Sequence, residues 1–342
     1  MAGSQTVEEL FMNNEELPEN YIHKDSKGFM DASPSSMEIP VIDLGLLISS
    51  SPTVEELEKF RAALSSWGCF QAINHGMTDS FLDEVQEVSK QFFALPMEEK
   101  KKYSRTENAI EGYGSDMVLS EDQILDWTDR LYLLVNPQDQ RKLEFWPKNP
   151  ENFREILAEY TIKLKQMNEA LLRAMARSLN LKDDCFVNQC GGEQTVMFTR
   201  FNLYPPCPRP DCVLGLKPHA DGSAMTILLP DREVEGLQFW KDVQWVRVPI
   251  IPHAFLINVG DQMEIMSNGL IKSPVHRVIT NSERERMSLA MFCAPGSDKE
   301  IGPVEGLITE ARPRLYKTVK NYVDSYFQYF QKGLRPIDAV KI

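Results

Sequence analysis

The stretch that decides the reading is Leu216-Lys217-Pro218-His219-Ala220-Asp221-Gly222-Ser223-Ala224-Met225-Thr226. His219 and Asp221 stand two apart, and on a β-strand that spacing puts both side chains on one face. A second histidine, His276, lies in the later apolar run Ile271-Lys272-Ser273-Pro274-Val275-His276-Arg277-Val278-Ile279. Two imidazoles and one carboxylate can occupy one side of a metal ion and leave the other side open. That donor set suits non-haem Fe(II) and oxygen chemistry. An H-x-D pair alone is a weak signal, because such a pair is more often a surface hydrogen bond. Its surroundings strengthen it. Beyond His276 comes Arg286-Met287-Ser288, again two apart, and before His219 comes Asn202-Leu203-Tyr204-Pro205-Pro206-Cys207. An arginine fork flanked by hydroxyls and an amide can hold a dicarboxylate.

Together these motifs resemble those of the plant 2-oxoglutarate- and Fe(II)-dependent dioxygenases: H-x-D, a further histidine some fifty-odd residues on, R-x-S, and N-x-Y-P-x-C upstream. The longer H-x-D-x-S-x-x-T-x-L is also present, as His219, Asp221, Ser223, Thr226 and Leu228. The resemblance runs from about Ile39 to the end. The run from Gly269 to Pro295 and the C-terminal tail are most similar to oxygenases of specialised metabolism and hormone modification. Among these are alkaloid and flavonoid hydroxylases, O-demethylases and the lateral-branching oxidoreductases.

The resemblance implies a mainly β fold with supporting helices and a double-stranded β-helix core of jelly-roll, cupin-like form. It implies that His219, Asp221 and His276 hold Fe(II) and carry the catalysis. Arg286, Ser288 and Tyr204 would reach the far carboxylate of 2-oxoglutarate, with Asn202 steadying its near end or the neighbouring residues. Molecular oxygen would take the remaining position, with ascorbate as a supporting reductant. The expected reaction is hydroxylation or oxidative O-demethylation of a small, largely apolar plant metabolite, with release of succinate and CO2. An alkaloid, a flavonoid or a terpenoid hormone would serve. A rival reading is an Fe(II)-dependent oxidase that uses the same triad without 2-oxoglutarate. A third is a non-catalytic protein that keeps the barrel, against which the intact triad and Arg-Ser pair both argue.

Bulk properties set bounds. The chain has 342 residues, 42% hydrophobic and 25% charged, as in ordinary globular proteins. A net charge of −13 argues against nucleic acid or an anionic membrane as partner. No apolar run has transmembrane length, and the N-terminus lacks a signal-peptide pattern. Six cysteines, none in a C-x-x-C pair, suggest reduced thiols and a cytoplasmic address. Cys207 and Cys212 have no partner at zinc-finger spacing. The expected partner is a small-molecule substrate and the expected state a monomer.

The chain divides into an N-terminal arm (1–38), an α/β region (39–190), the β-helix core (191–300), and a C-terminal helix and tail (301–342). The polar arm, ending in Ser33-Pro34-Ser35-Ser36, reads as loosely held. The β-branched run Ile39–Leu44 predicts a strand, and Thr53-Val54-Glu55-Glu56 a capping box that opens a helix. Gly68–Gly76 predicts a strand and a turn, with His75 in a local hydrogen bond. A helix is expected over about 78–95, irregular chain over 96–112, and a strand over 126–133. Apolar residues at three- and four-residue steps from Leu157 to Leu179 mark a long amphipathic helix. Short strands are expected from Met197 on, including a hairpin at 236–249 and strands at 254–259, 270–279 and 286–293. His253 reads as a loop residue. A last helix is expected over about 315–332.

The substrate side is read from three aromatics. On the Arg286 strand, Ser288, Ala290 and Phe292 share the inward face, which puts Phe292 toward the mouth. The resemblance places Tyr132 at the cavity border. Phe330, in the aromatic-rich last helix, can cover the mouth. For Tyr132 and Phe330 the alternative is plain packing. Arg284 belongs to a solvated charge cluster, whereas Arg286 is in phase with Ser288.

Overall fold

Alternation with a period of two organises the second half of the chain, and it divides every strand between two environments. The computed structural model of the chain describes residues 5–13, 15–24, 37–49, 52–106, 109–116, 118, 123–330 and 332–342. The first half gives α1 (Val7–Met12), β1 (Val41–Asp43), α2 (Leu44–Leu47), α3 (Val54–Ser66), β2 (Cys69–Ile73), α4 (Asp79–Phe93), α5 (Met97–Lys101), β3 (Gly112–Ser115), β4 (Asp129–Asn136), α6 (Phe153–Ser178) and α7 (Cys185–Cys190). Then come β5 (Val196–Tyr204), β6 (Leu214–His219), β7 (Met225–Leu229), β8 (Leu237–Lys241), β9 (Gln244–Arg247), β10 (Phe255–Val259), α8 (Asp261–Met266), β11 (His276–Ile279) and β12 (Arg286–Ala294). The chain closes with β13 (Glu300–Ile301), β14 (Val319–Lys320) and α9 (Tyr322–Phe330).

An eight-stranded sheet runs β1-β2-β10-β7-β12-β5-β4-β3, and a four-stranded sheet runs β6-β11-β8-β9. Both line one cavity, the double-stranded β-helix arrangement. On β5, Met197, Phe201 and Leu203 join the main core, as do Leu289, Met291 and Cys293 of β12. The other phase of each strand faces the cavity. The long helix α6 backs the large sheet with the stripe read from sequence, Leu157, Tyr160, Leu164, Met167, Leu171, Met175 and Leu179, all buried in that core. Thr53 caps α3 by accepting from the Glu56 amide, and Thr78 caps α4 by accepting from that of Phe81. His75 keeps to its turn: Nδ1 accepts from the Met77 amide, and Nε2 lies 2.9 Å from the His253 carbonyl oxygen.

Five expectations change. The segment Ser33–Ser36 lies outside the described residues, but the described part of the arm is anchored. Val7, Leu10 and Tyr21 pack with Trp127, Cys207, Cys212 and Val213, and the buried Lys100 ammonium donates to Glu8 and to the Phe93 carbonyl. That lysine lies on α5, where irregular chain was expected. The strand expected over 270–279 begins only at His276. Its earlier amides are committed elsewhere: Lys272 N to the Leu64 carbonyl and Ser273 N to Glu264 Oε2, and Pro274 has none. The last helix starts at Tyr322. Before it, Val319 and Lys320 pair with β13, and Asn321 sits at φ 54°. Finally, β7 and α8 went unread, being short, and the strand expected to carry both His219 and Asp221 ends at His219. Proline is tolerated in β6 because that strand is the edge of its sheet.

The junction between β10 and α8 carries the tightest packing near the future site. Amides of Gly260, Asp261 and Gln262 donate to the carbonyls of Ala224, Asp221 and Ser223. A Cβ on Gly260 would lie 2.0 Å from the Ser223 carbonyl oxygen. Gly260→Ala is therefore expected to destabilise the fold by about 1–3 kcal/mol, an overpacking cost. Urea unfolding would show a lower midpoint at unchanged slope.

Candidate active site

His219 ends β6 and is the direct cross-strand partner of His276, the first residue of β11. Their ring centroids are 4.2 Å apart. Asp221 does not share the strand with His219, as the two-residue spacing suggested. The strand stops at His219, and Asp221 enters from the following loop, pinned where its carbonyl accepts from Asp261 N. Its Oδ1 lies 3.7 Å from Nε2 of each histidine, and Asn258 donates to its Oδ2 at 3.4 Å. Among the described residues this is the one group whose ligand atoms all fall within 4.8 Å of one another.

The imidazoles are oriented from behind. His219 Nδ1 lies 2.8 Å from the Lys217 carbonyl oxygen and His276 Nδ1 3.3 Å from that of Pro274. Protons on both Nδ1 atoms leave the Nε2 lone pairs turned toward Asp221, as metal ligation requires. Burial first, and then the neighbouring His276 ring, push the His219 imidazole down to about 3, so it is neutral at ordinary pH. The Lys217 backbone is itself fixed, since Asp126 accepts from its amide at 2.7 Å and from its ammonium at 3.0 Å.

Opposite the histidines, the large sheet presents a ladder. Strand register sets Arg286 against Tyr204, Ser288 against Asn202, Ala290 against Arg200, and Phe292 against Phe198. One strand further, Arg130, Tyr132 and Leu134 extend the last three rows. All of these but Arg130 line the cavity, together with the three candidate ligands. At its inner end Arg286 is 4% exposed, its guanidinium lies 5.1 Å from the Tyr204 ring centroid, and its Nε and Nη1 have no hydrogen-bond partner. A buried guanidinium with two idle donors is a fit for a carboxylate, so the residues present suit an oxo-acid beside a metal.

Sequence reasoning missed Arg200, Asn258 and Tyr326. Arg200 was findable, standing two before Asn202 on the same strand face. It donates to Asn202 Oδ1 at 2.6 Å, and Asn202 donates in turn to Ser288 Oγ at 3.3 Å. Arg200 and Arg130 share Asp116. Burial opposes ionisation of Asp116, but the two guanidiniums outweigh it and hold the carboxyl well below its usual range.

Comparison with known proteins meets this geometry. The model of the 2OG-Fe(II) oxygenase superfamily matches residues 183–295, and that of the non-haem dioxygenase in morphine synthesis N-terminal matches 39–149. The chain belongs to the plant 2-oxoglutarate- and Fe(II)-dependent dioxygenases. Protein SRG1 of Arabidopsis thaliana is 40% identical over 95% of this chain and 92% of its own length. Codeine O-demethylase of Papaver somniferum is 43% identical, covering 82% and 78%. The crystal structure of JOX2 in complex with 2OG, Fe and JA superposes with a TM-score of 0.88 at 35% identity, over 99% of this chain and 98% of that one. The dioxygenase therefore uses Fe(II) and 2-oxoglutarate.

Of the aromatics expected at the substrate, Tyr132, Phe292 and Phe330 all line the same cavity of about 380 Å³. No helix among the described residues is long and apolar enough to cross a membrane.

A metal that binds the folded form alone raises its stability by about 2.7 kcal/mol at a hundredfold excess over Kd. Adding Fe(II) under argon is expected to raise the melting temperature of the dioxygenase, and Asp221→Ala should show no rise.

Proposed function

We propose that this dioxygenase hydroxylates or oxidatively O-demethylates a small, largely apolar plant metabolite of the alkaloid, flavonoid or terpenoid-hormone kind. The observation that carries the proposal is the ladder on β12. Its rows pass from a buried, unpaired guanidinium, past the three candidate metal ligands on the facing side, to an aromatic mouth. His219, Asp221 and His276 would hold Fe(II). Arg286 and Ser288, with Tyr204 alongside, would hold the far carboxylate of 2-oxoglutarate, and Asn202 would steady the cofactor through Ser288. When bound, Fe(II) and 2-oxoglutarate supply the oxidising power of O2 for a substrate C–H bond, with succinate and CO2 released.

The chain's own part is to bind, to aim and to keep water out. Tyr132 stacks on Phe198 with centroids 5.2 Å apart and leans on Phe292 at 6.1 Å. Three rings in one wall favour a flat or apolar partner. Phe330 closes the opposite side, edge-on to His219 at 5.3 Å. The name of the poppy relative, an O-demethylase, agrees with a methyl ether as one target class. The oxidase reading, which needs no dicarboxylate, leaves the idle donors of Arg286 without a purpose. Ascorbate as supporting reductant, a monomer as working state and a cytoplasmic address belong to the same proposal, the last supported by six unpaired thiols.

Two measurements test it. Removing the guanidinium would leave a buried carboxylate unpaired, at a cost of about 3–5 kcal/mol. Arg286→Ala should thus bind 2-oxoglutarate roughly a hundred- to thousandfold more weakly. Arg286→Lys should recover only part, because the ammonium lacks the fork. An anaerobic titration followed through the metal-to-ligand charge-transfer band reads this, and an unchanged midpoint would return the oxidase reading. The second measurement incubates the enzyme with Fe(II), 2-oxoglutarate, ascorbate and a panel of alkaloids, flavonoids and terpenoid hormones, with products read by mass. For whichever compound is turned over, Phe292→Ala should raise KM while leaving the 2-oxoglutarate midpoint in place. The reverse pattern counts against the aromatic wall.

A further inference from the structure

The loop that carries Asp221 is held on two sides. From the sheet side it is held by the amides at the start of α8 and by Asn258, as described above. From the cavity side it is held by one residue of α9. Tyr326, buried, donates its hydroxyl to the Ala220 carbonyl at 2.8 Å. Its ring lies flat against Gly222, where a Cβ would come within 2.5 Å of Tyr326 Cγ. The same ring stacks on Phe330 at 5.8 Å and 22°, and Phe330 meets His219 edge-on. Tyr326 thus grips the residues on both sides of Asp221 and reaches a second ligand through its neighbour.

The helix that bears it is fixed at its start, since Tyr322 donates to the buried Asp261 carboxylate at 2.8 Å. Asp261 is also the residue whose amide pins the Asp221 carbonyl. The Asp221 loop and α9 therefore share an anchor. Tyr326 also lines the cavity that holds the candidate ligands and Arg286.

We infer that Tyr326 is a positioning residue for the metal site: its hydroxyl and its ring, fitted to Gly222, hold the 220–222 loop so that Asp221 Oδ1 faces both Nε2 atoms. This rests on the reading of His219, Asp221 and His276 as the ligands. Packing alone would make Tyr326 matter for stability and leave ligand geometry unmoved.

Co(II) alone serves as the probe, because its visible d–d bands report ligand geometry. It is titrated anaerobically into the metal-free full-length wild type, Tyr326→Phe and Gly222→Ala. Tyr326→Phe keeps the ring and loses one hydrogen bond, so Co(II) affinity should fall by about two- to tenfold. Its d–d bands should shift, with only the small drop in the metal-free unfolding midpoint that one lost hydrogen bond brings. Gly222→Ala keeps the hydroxyl but displaces the ring, and should shift the bands in the same way. Wild-type affinity and bands in both variants would overturn the assignment, as would a loss of metal-free stability in Tyr326→Phe with bands unchanged. If the wild type itself binds no Co(II), the ligand reading fails and this inference with it.

Discussion

The chemistry of this chain hangs on the pairing of two short antiparallel strands, β6 and β11. Their register sets His276 directly opposite His219, 57 residues away along the chain. Cross-strand neighbours are as close as side chains in a sheet come, so two imidazoles share one small volume without any long-range adjustment. Both rings are oriented by main-chain carbonyls two residues back, Lys217 and Pro274, which belong to the approach of each strand. The carboxylate completes the set from a loop, and a loop is less determined than a ladder. This is why the structure surrounds Asp221 with supports, three amides from the start of α8 among them.

The two sheets divide the work. The small sheet and its loop supply the three candidate metal ligands. The large sheet lines the cavity with the proposed co-substrate and substrate contacts of β12, charge innermost and an aromatic ring outermost, and α9 adds further aromatic wall. Sorting of this kind needs only the two-residue period of a strand, since every second side chain advances one row. The interleaved residues Leu289, Met291 and Cys293 meanwhile knit the sheet to α6. One strand therefore lines the cavity with one face and builds the hydrophobic core with the other.

How much of this could be read beforehand follows from how local each feature is. His219 with Asp221, and Arg286 with Ser288, were legible as pairs because each spacing is written along one short stretch, and His276 was added from a separate apolar run 57 residues on. The β class and the stripe of α6 were legible by periodicity. The arrangement of Asp221 was not: the two-residue rule assumed a strand that ends at His219. Nor was the tether of the N-terminal segment, because Lys100 and Glu8 are 92 residues apart. The same holds for Arg200 with Asp116, Lys217 with Asp126, and Tyr326 with Ala220, separated by 84, 91 and 106 residues. Each of these partners carries an ordinary signature of its own, a charge on a polar stretch or an aromatic on a helix. Only the fold says which of them meet.

Helix α9 contributes Tyr326, Phe327 and Phe330 to the cavity wall while belonging to neither sheet. It is bounded by left-handed residues, Asn321 at φ 54° and Gly333 at φ 66°. A protein built this way would change part of what it accepts through the cavity-facing side chains of α9 outside its anchors Tyr322 and Tyr326, with the barrel left to keep the iron and its co-substrate. Diversification of substrate range and retention of the oxidising chemistry then fall on different parts of the polypeptide. Phe330, edge-on to His219, and Tyr326, on the Ala220 carbonyl, are the points where that helix touches the candidate metal site.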